Sequence, residues 1–162
     1  MKTMHSILFA AALLVLPATV VTAAATQDRA APETPALAIL PERVVFRSLD
    51  DARTELVGYL YSPEGVQGAA PAVVLMHGRA GAYSSLANGI HDATTLSMRH
   101  RYWAQYWADR GYYALLVDGF GPRGYPGGFE RGSYSERPDE VNEVTVRPLD
   151  AYGALRYLRT LP

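Results

Sequence analysis

The 162-residue chain contains no cysteine. A disulfide framework, a thiolate metal site and a cysteine nucleophile are therefore excluded within these residues. Its four histidines, His5, His77, His91 and His100, include no pair at i, i+4. That is the spacing that sets two imidazoles on one helical face, so a zinc site is not expected. An excess of either charge is missing too, because 15 basic and 16 acidic residues leave a formal charge of -1. No basic surface is available to argue nucleic acid from. The phosphate-cradling pattern G-x-x-x-x-G-K-[ST] does not occur, and no cofactor is expected. What is there is ordinary for a globular protein: 49% hydrophobic and 19% charged residues, in a length that suits one domain.

The first 25 residues read as a secretory signal. Lys2 supplies the positive charge, Ile7 to Val21 forms an apolar run interrupted by Pro17, and Ala23-Ala24-Ala25 offers small residues for cleavage. The run is shorter than the roughly 20 apolar residues needed to span a bilayer. The expectation is a periplasmic or extracellular protein with no stable membrane anchor after cleavage. Residues 26–41 carry Pro32, Pro35 and Pro41 among alanines and read as a flexible tether. The folded part is expected over 42–162.

Within that part, Arg43 to Arg47 and Glu55 to Tyr61 are rich in β-branched and aromatic residues and read as a hairpin turning at Ser48 to Asp51. Ala72 to Met76 is too short for an ordinary helix and runs without polar alternation into His77-Gly78, as a buried strand does. A helix is expected from about Ser97, its N-cap, with Trp103, Tyr106, Trp107 and Arg110 on one side and the aromatics packed on the sheet. Gly111 ends it, and Tyr112 to Val117 forms another buried strand closed by Asp118. A helix between two buried strands makes a βαβ unit, so Met76 and Val117 end on the same edge of the sheet. The glycine- and proline-rich stretch from Gly119 to about Asp139 is long for a loop. A last helix is expected to begin between Glu140 and Pro148 and run to about Arg159, with Val141, Val144, Pro148, Tyr152, Leu155 and Leu158 on its apolar face. Gly119 to Gly124 matches G-x-G-x-x-G, but Tyr125-Pro126-Gly127-Gly128 continues the loop where a dinucleotide site needs a helix N-terminus.

Taken in order, Ala72 to Gly81, Tyr83-Ser84-Ser85, Thr95 to Arg101, Trp103, Gly111 to Asp118, Gly119 to Gly124 and Arg147 to Tyr152 resemble the amino-terminal half of a dienelactone-hydrolase-like α/β-hydrolase. The resemblance covers nearly all of Val44 to Pro162. It implies an α/β fold, an incomplete α/β-hydrolase domain with about four of eight strands in a mostly parallel sheet with flanking helices. It also implies hydrolysis of a small-molecule ester or lactone. On it, the backbone of Gly78, Arg79 and Ala80 maps to the oxyanion loop, and His77, Tyr83, Asp118, Phe120 and Arg123 map to the pocket wall.

The departure is the nucleophile. Such hydrolases carry it in G-x-[SC]-x-G after the next strand, and Gly132-Ser133-Tyr134 lacks the second glycine. The nucleophile, acid and histidine are thus expected beyond Pro162, the 162 residues alone are expected to be inactive, and an open sheet edge beside Ala72 to Met76 is expected to invite self-association. The alternative is a non-catalytic exported binding or interaction domain.

Overall fold

The computed structural model describes residues 40–66 and 68–162. The expected signal, and all but the last two residues of the expected tether, lie outside the described residues. Four strands and two helices follow in the order β1 (Glu42–Arg47), β2 (Glu55–Tyr61), β3 (Ala72–Met76), α1 (Met98–Ala108), β4 (Tyr113–Asp118) and α2 (Arg147–Leu158). The strands form one sheet in the order β1-β2-β4-β3.

β1 and β2 pair antiparallel, with Phe46 opposite Leu56, because the turn between them is too short for anything but a reversal. β2 also runs antiparallel to β4, and only β3 and β4 are parallel, with Leu75 opposite Leu116. The expectation of a mostly parallel α/β-hydrolase sheet is therefore overturned. Two of the three pairings are antiparallel, in a small mixed sheet carrying two helices. The β1 to β2 turn allows only a reversal, the β3 to β4 crossover carries a helix that returns the chain in the same direction, and β2 meets β4 through a tertiary contact across more than fifty residues.

β4 is the centre of the sheet and is buried on both faces. Its Ala114 and Leu116 join Tyr59, Tyr61, Leu96, Ala104 and Ala108 in one core beneath α1. Leu115 and Val117 join Val44, Phe46, Leu56, Leu60, Ala154 and Leu158 in a second core beneath α2. β3 lies at the sheet edge, and its Val73 to Met76 are only half-buried.

The inward faces of both helices overlap only in part with the ones their large apolar residues suggest: Leu158 and, just before α2, Val141 are buried, but the rest differ. Ser97 caps α1 as expected, its hydroxyl accepting from the His100 amide. The fully buried residues of α1, however, are Ala104 and Ala108, while Trp103 is 47% exposed and Tyr102 63% exposed. Trp107 alone of the expected aromatic face packs against the core, and it stays half-buried. α2 starts at Arg147 with Pro148 in its first turn, which suits a residue lacking an amide proton. It buries Arg147, Asp150, Gly153, Ala154 and Leu158, leaving Val144 82% and Tyr152 59% exposed. Small residues win because they let the helix axis come close. At Gly153 a Cβ would lie 2.3 Å from the Arg47 carbonyl oxygen, so α2 touches the end of β1 backbone to backbone.

Gly153→Ala is expected to cost about 1–3 kcal/mol, since a backbone atom cannot swing aside as a side chain does. Tyr152→Ala, at an exposed neighbouring position, is expected to stay within about 0.5 kcal/mol of the parent. Urea unfolding of the two variants measures the contrast; equal midpoints would contradict the close approach.

Candidate active site

The carboxyl ends of the parallel pair β3 and β4 are held together by buried polar groups. His77 follows β3 and is almost fully buried. Its Nε2 accepts from the Gly119 amide at 3.2 Å, and Nδ1 lies 2.7 Å from the Gly78 carbonyl oxygen. The proton therefore sits on Nδ1, where it is donated to Gly78, and the ring is neutral. Burial, reinforced by the nearby Arg147 guanidinium, lowers its pKa to about 4. His77 thus ties the turn after β3 to the turn after β4, and neither nitrogen is available as a base.

Asp118 closes the second turn. Its Oδ1 accepts from the Phe120 amide at 3.1 Å and the Gly121 amide at 2.8 Å, and Oδ2 accepts from the Tyr83 hydroxyl at 2.8 Å. Tyr83 has one proton and spends it on Asp118, so the Tyr59 hydroxyl, 2.9 Å away, must donate to Tyr83. Burial, then the Asp118 carboxylate, pushes the Tyr83 pKa far up, and the phenol stays protonated. The amides of Gly119 and Gly121 are consumed within the turn. Gly121 to Arg123 forms one turn of 3-10 helix, not a dinucleotide-binding helix.

Arg123 anchors this turn from behind. Its guanidinium donates to the Gly119 carbonyl at 2.7 Å, to both oxygens of Asp150 at 2.8 and 2.9 Å, and to Asp50 at 2.6 Å. Ser48 donates to Asp150 at 2.7 Å, and Thr54 donates to Asp50 through both amide and hydroxyl. Although burial opposes ionisation, these bonds keep the Asp50 pKa below its ordinary value. Arg147 donates to the His77 carbonyl at 2.5 Å and lies over the Phe120 ring. Asp50, Asp150 and Arg147 carry no motif that marks them for the site. Their only signal in sequence is charge at positions that the helix and turn must bury.

The expected oxyanion loop is shaped by a second loop laid against it. Gly81 donates back to the Gly78 carbonyl at 3.1 Å, making a tight turn, and Phe129 donates to the Arg79 carbonyl at 2.9 Å. Gly128 has φ +71 and sits so close that a Cβ there would be 2.3 Å from the Ala80 carbonyl carbon. The Arg79 side chain reaches the other way, donating to the Glu130 carbonyl at 2.9 Å and to Ser133, above the Phe129 ring. Gly78 and Ala80 remain exposed, and the Ala80 amide has no acceptor among the described residues.

Two cavities adjoin at this edge, sharing Tyr83, His91 and Pro126. One of about 270 Å³ is lined by Ala80, Ser84, Ser85, Gly128 and Phe129 as well. The other, about 390 Å³, extends past Tyr59 and Asp118 to Arg43 and Glu55 on the hairpin. A larger cavity of about 560 Å³ lies at the opposite end of β4, bordered by Tyr61, Gln105 and Gly111. Of the expected site residues, Ala80, Tyr83 and Asp118 line the adjoining pair of cavities. His77, Phe120 and Arg123, expected on the pocket wall, are packed beneath it and act by positioning. His91 and Tyr59 line it and were not singled out from sequence, because a lone histidine in a polar loop and a tyrosine in a strand carry no motif.

None of the described serines forms a nucleophile–base pair. The Ser97 hydroxyl is 2.9 Å from His100 Nδ1, yet that nitrogen also lies 3.0 Å from the Ala82 carbonyl oxygen and so carries a proton. A protonated Nδ1 cannot take the serine proton. Ser85 and His91 share a cavity without a hydrogen bond between them. Among the described residues no group of three His, Asp or Glu side chains could hold a metal ion.

A neutral buried imidazole stabilises the fold fully above the unfolded-state pKa of about 6.5 and loses that contribution as pH falls toward 4. Lowering the pH from 7 to 4.5 is therefore expected to cost about 2–3 kcal/mol through His77. His77→Gln, which keeps an acceptor for Gly119 and cannot titrate, is expected to flatten the dependence in this window, as followed by urea unfolding at the two pH values. Loss through Asp50 belongs to a lower window, below its ordinary carboxylate range.

No protein-family model matches the chain, and no curated protein matches it. A solved structure named m3DLH is similar at 20% identity and a TM-score of 0.45, over 75% of this chain. The chain spans 43% of that structure's length, and a likeness of this size carries no argument about fold or activity.

Proposed function

We propose that this chain supplies the oxyanion-binding side of a site that hydrolyses esters or lactones. The observation that carries the proposal is the Ala80 amide, which has no acceptor among the described residues and belongs to an exposed residue that lines the smaller cavity. A backbone donor fixed in advance stabilises the negative charge of a tetrahedral intermediate without reorganising as the charge develops. The close contacts of Gly128 with Ala80 and of Phe129 with Arg79 provide that fixity. Substrate would enter at the His91 and Pro126 wall, its carbonyl oxygen toward Ala80 and its acyl or alcohol part in the adjoining cavity of about 390 Å³. The proposal rests on this local chemistry and on the resemblance of residues 72–81 and 111–124 to dienelactone-hydrolase-like sequences, not on the sheet.

Oxyanion donors generate no intermediate by themselves. The 162 residues are accordingly expected to hydrolyse p-nitrophenyl acetate no faster than buffer. A longer form carrying G-x-[SC]-x-G is expected to be active, to lose activity on replacing that serine or cysteine with alanine, and to lose about 100- to 1000-fold in kcat on Gly128→Ala, the range seen when an oxyanion donor is displaced. A longer form with no such turn, or one whose kcat ignores Gly128→Ala, would sink the proposal.

A further inference from the structure

α1 turns an aromatic face away from the sheet. Arg99, Trp103 and Tyr106 follow one another at i, i+4 and i+7 on one side of the helix, and Arg110, in the turn just past its end, folds back over Tyr106 to continue the stripe. Trp103 and Tyr106 touch edge to face at 5.3 Å, Tyr102 meets both, and Tyr106 continues through Trp107 to Tyr112. The Arg110 guanidinium lies flat over Tyr106, 3.5 Å from the ring centre. Met98, 76% exposed, extends the apolar surface at the helix start. Isolated exposed apolar residues mean little, but contiguous rings on one helix face mark a contact surface.

The chemistry of the stripe selects its occupant. Tyrosine and tryptophan combine an apolar body with a polar tip, which suits the boundary between lipid headgroups and acyl chains. An arginine at each end adds cations to the same side. The one acid on the exposed part of α1, Asp109, is about 90° around the helix from the stripe centre, bonded to Gln105 and facing the cavity that Glu42 and Glu64 also line. The stripe thus presents aromatic rings between two positive charges, with Asp109 to one side. No helix among the described residues is long and apolar enough to cross a membrane, so contact through α1 is peripheral. We propose that the Arg99, Trp103, Tyr106, Arg110 face of α1 docks reversibly on an anionic lipid bilayer.

The chain has only two tryptophans, Trp103 and Trp107, which makes the face its own reporter. The full chain bearing Trp107→Phe is mixed with vesicles of phosphatidylcholine alone or with one-third phosphatidylglycerol. Trp103 emission is expected to shift to the blue and gain protection from acrylamide only with the anionic vesicles. Arg99→Gln with Arg110→Gln is expected to lower the partition coefficient roughly 30-fold, at about 1 kcal/mol of attraction per basic residue. Both arginines are exposed, so this double variant tests charge without disturbing the cores. The difference spectrum between the parent and Trp103→Phe gives the same reading with Trp107 intact. Co-sedimentation with unchanged Trp103 emission would mean that another part of the chain, such as the apolar run at 7–21, binds the lipid, and would overturn the proposal. So would a Trp103 already blue and shielded without vesicles in a species of twice the monomer mass, where a second copy covers the face.

Discussion

The Arg123 guanidinium donates four hydrogen bonds to three separate stretches of chain: the turn after β4, the β1 to β2 turn through Asp50, and α2 through Asp150. Two buried carboxylates around one cation would be unfavourable if left unpaired, so Ser48 and Thr54 complete the hydrogen bonding. That arrangement decides where the turn after β4 can lie. With it placed, the Gly119 amide meets His77, the turn after β3 is held beside it, and Asp118 bonds Tyr83, and through it Tyr59, where all three line the cavity of about 390 Å³. The candidate site is thus a surface lining supported from below by an ionic cluster that takes no part in its chemistry.

Close approach by small residues is the second constraint. α1 reaches the sheet through Ala104 and Ala108, α2 through Gly153 and Ala154, and the two site loops meet at Gly128 and Ala80. In each case a larger side chain would push the elements apart. The bulky residues therefore go elsewhere: Trp103 and Tyr102 outward on α1, Val144 and Tyr152 outward near and on α2. Sequence reading assigns helix faces by the size of apolar side chains, so it placed Leu158, Val141 and Trp107 inward but missed the alanines and Gly153 that make the close contacts. Alanine and glycine carry little hydrophobic signal, although they permit the contact that buries everything around them.

The strands were legible because each is a short apolar or β-branched run between turn residues, and the Ser97 cap and the place of Pro148 in the first turn of α2 follow from backbone donors left open at a helix start. Strand direction was less so. A βαβ unit implies one parallel pair, and β3 with β4 supplies it, but the pairing of β2 with β4 depends on a contact between segments more than fifty residues apart. Nothing local encodes it, and the mostly parallel sheet was an extension from resemblance that the pairings overturn.

For the site, the sequence by itself determined that no cysteine chemistry exists in these residues and that strands run into His77-Gly78 and Asp118-Gly119. Covalent composition and local backbone freedom settle such matters without reference to the rest of the chain. Only the tertiary structure decided that His77 is a neutral pin, that Arg123 is sealed beneath the cavity, and that Tyr59 and His91 line it. A proton's position and a charge's partner depend on which distant groups are brought within about 3 Å, and folding alone sets that distance.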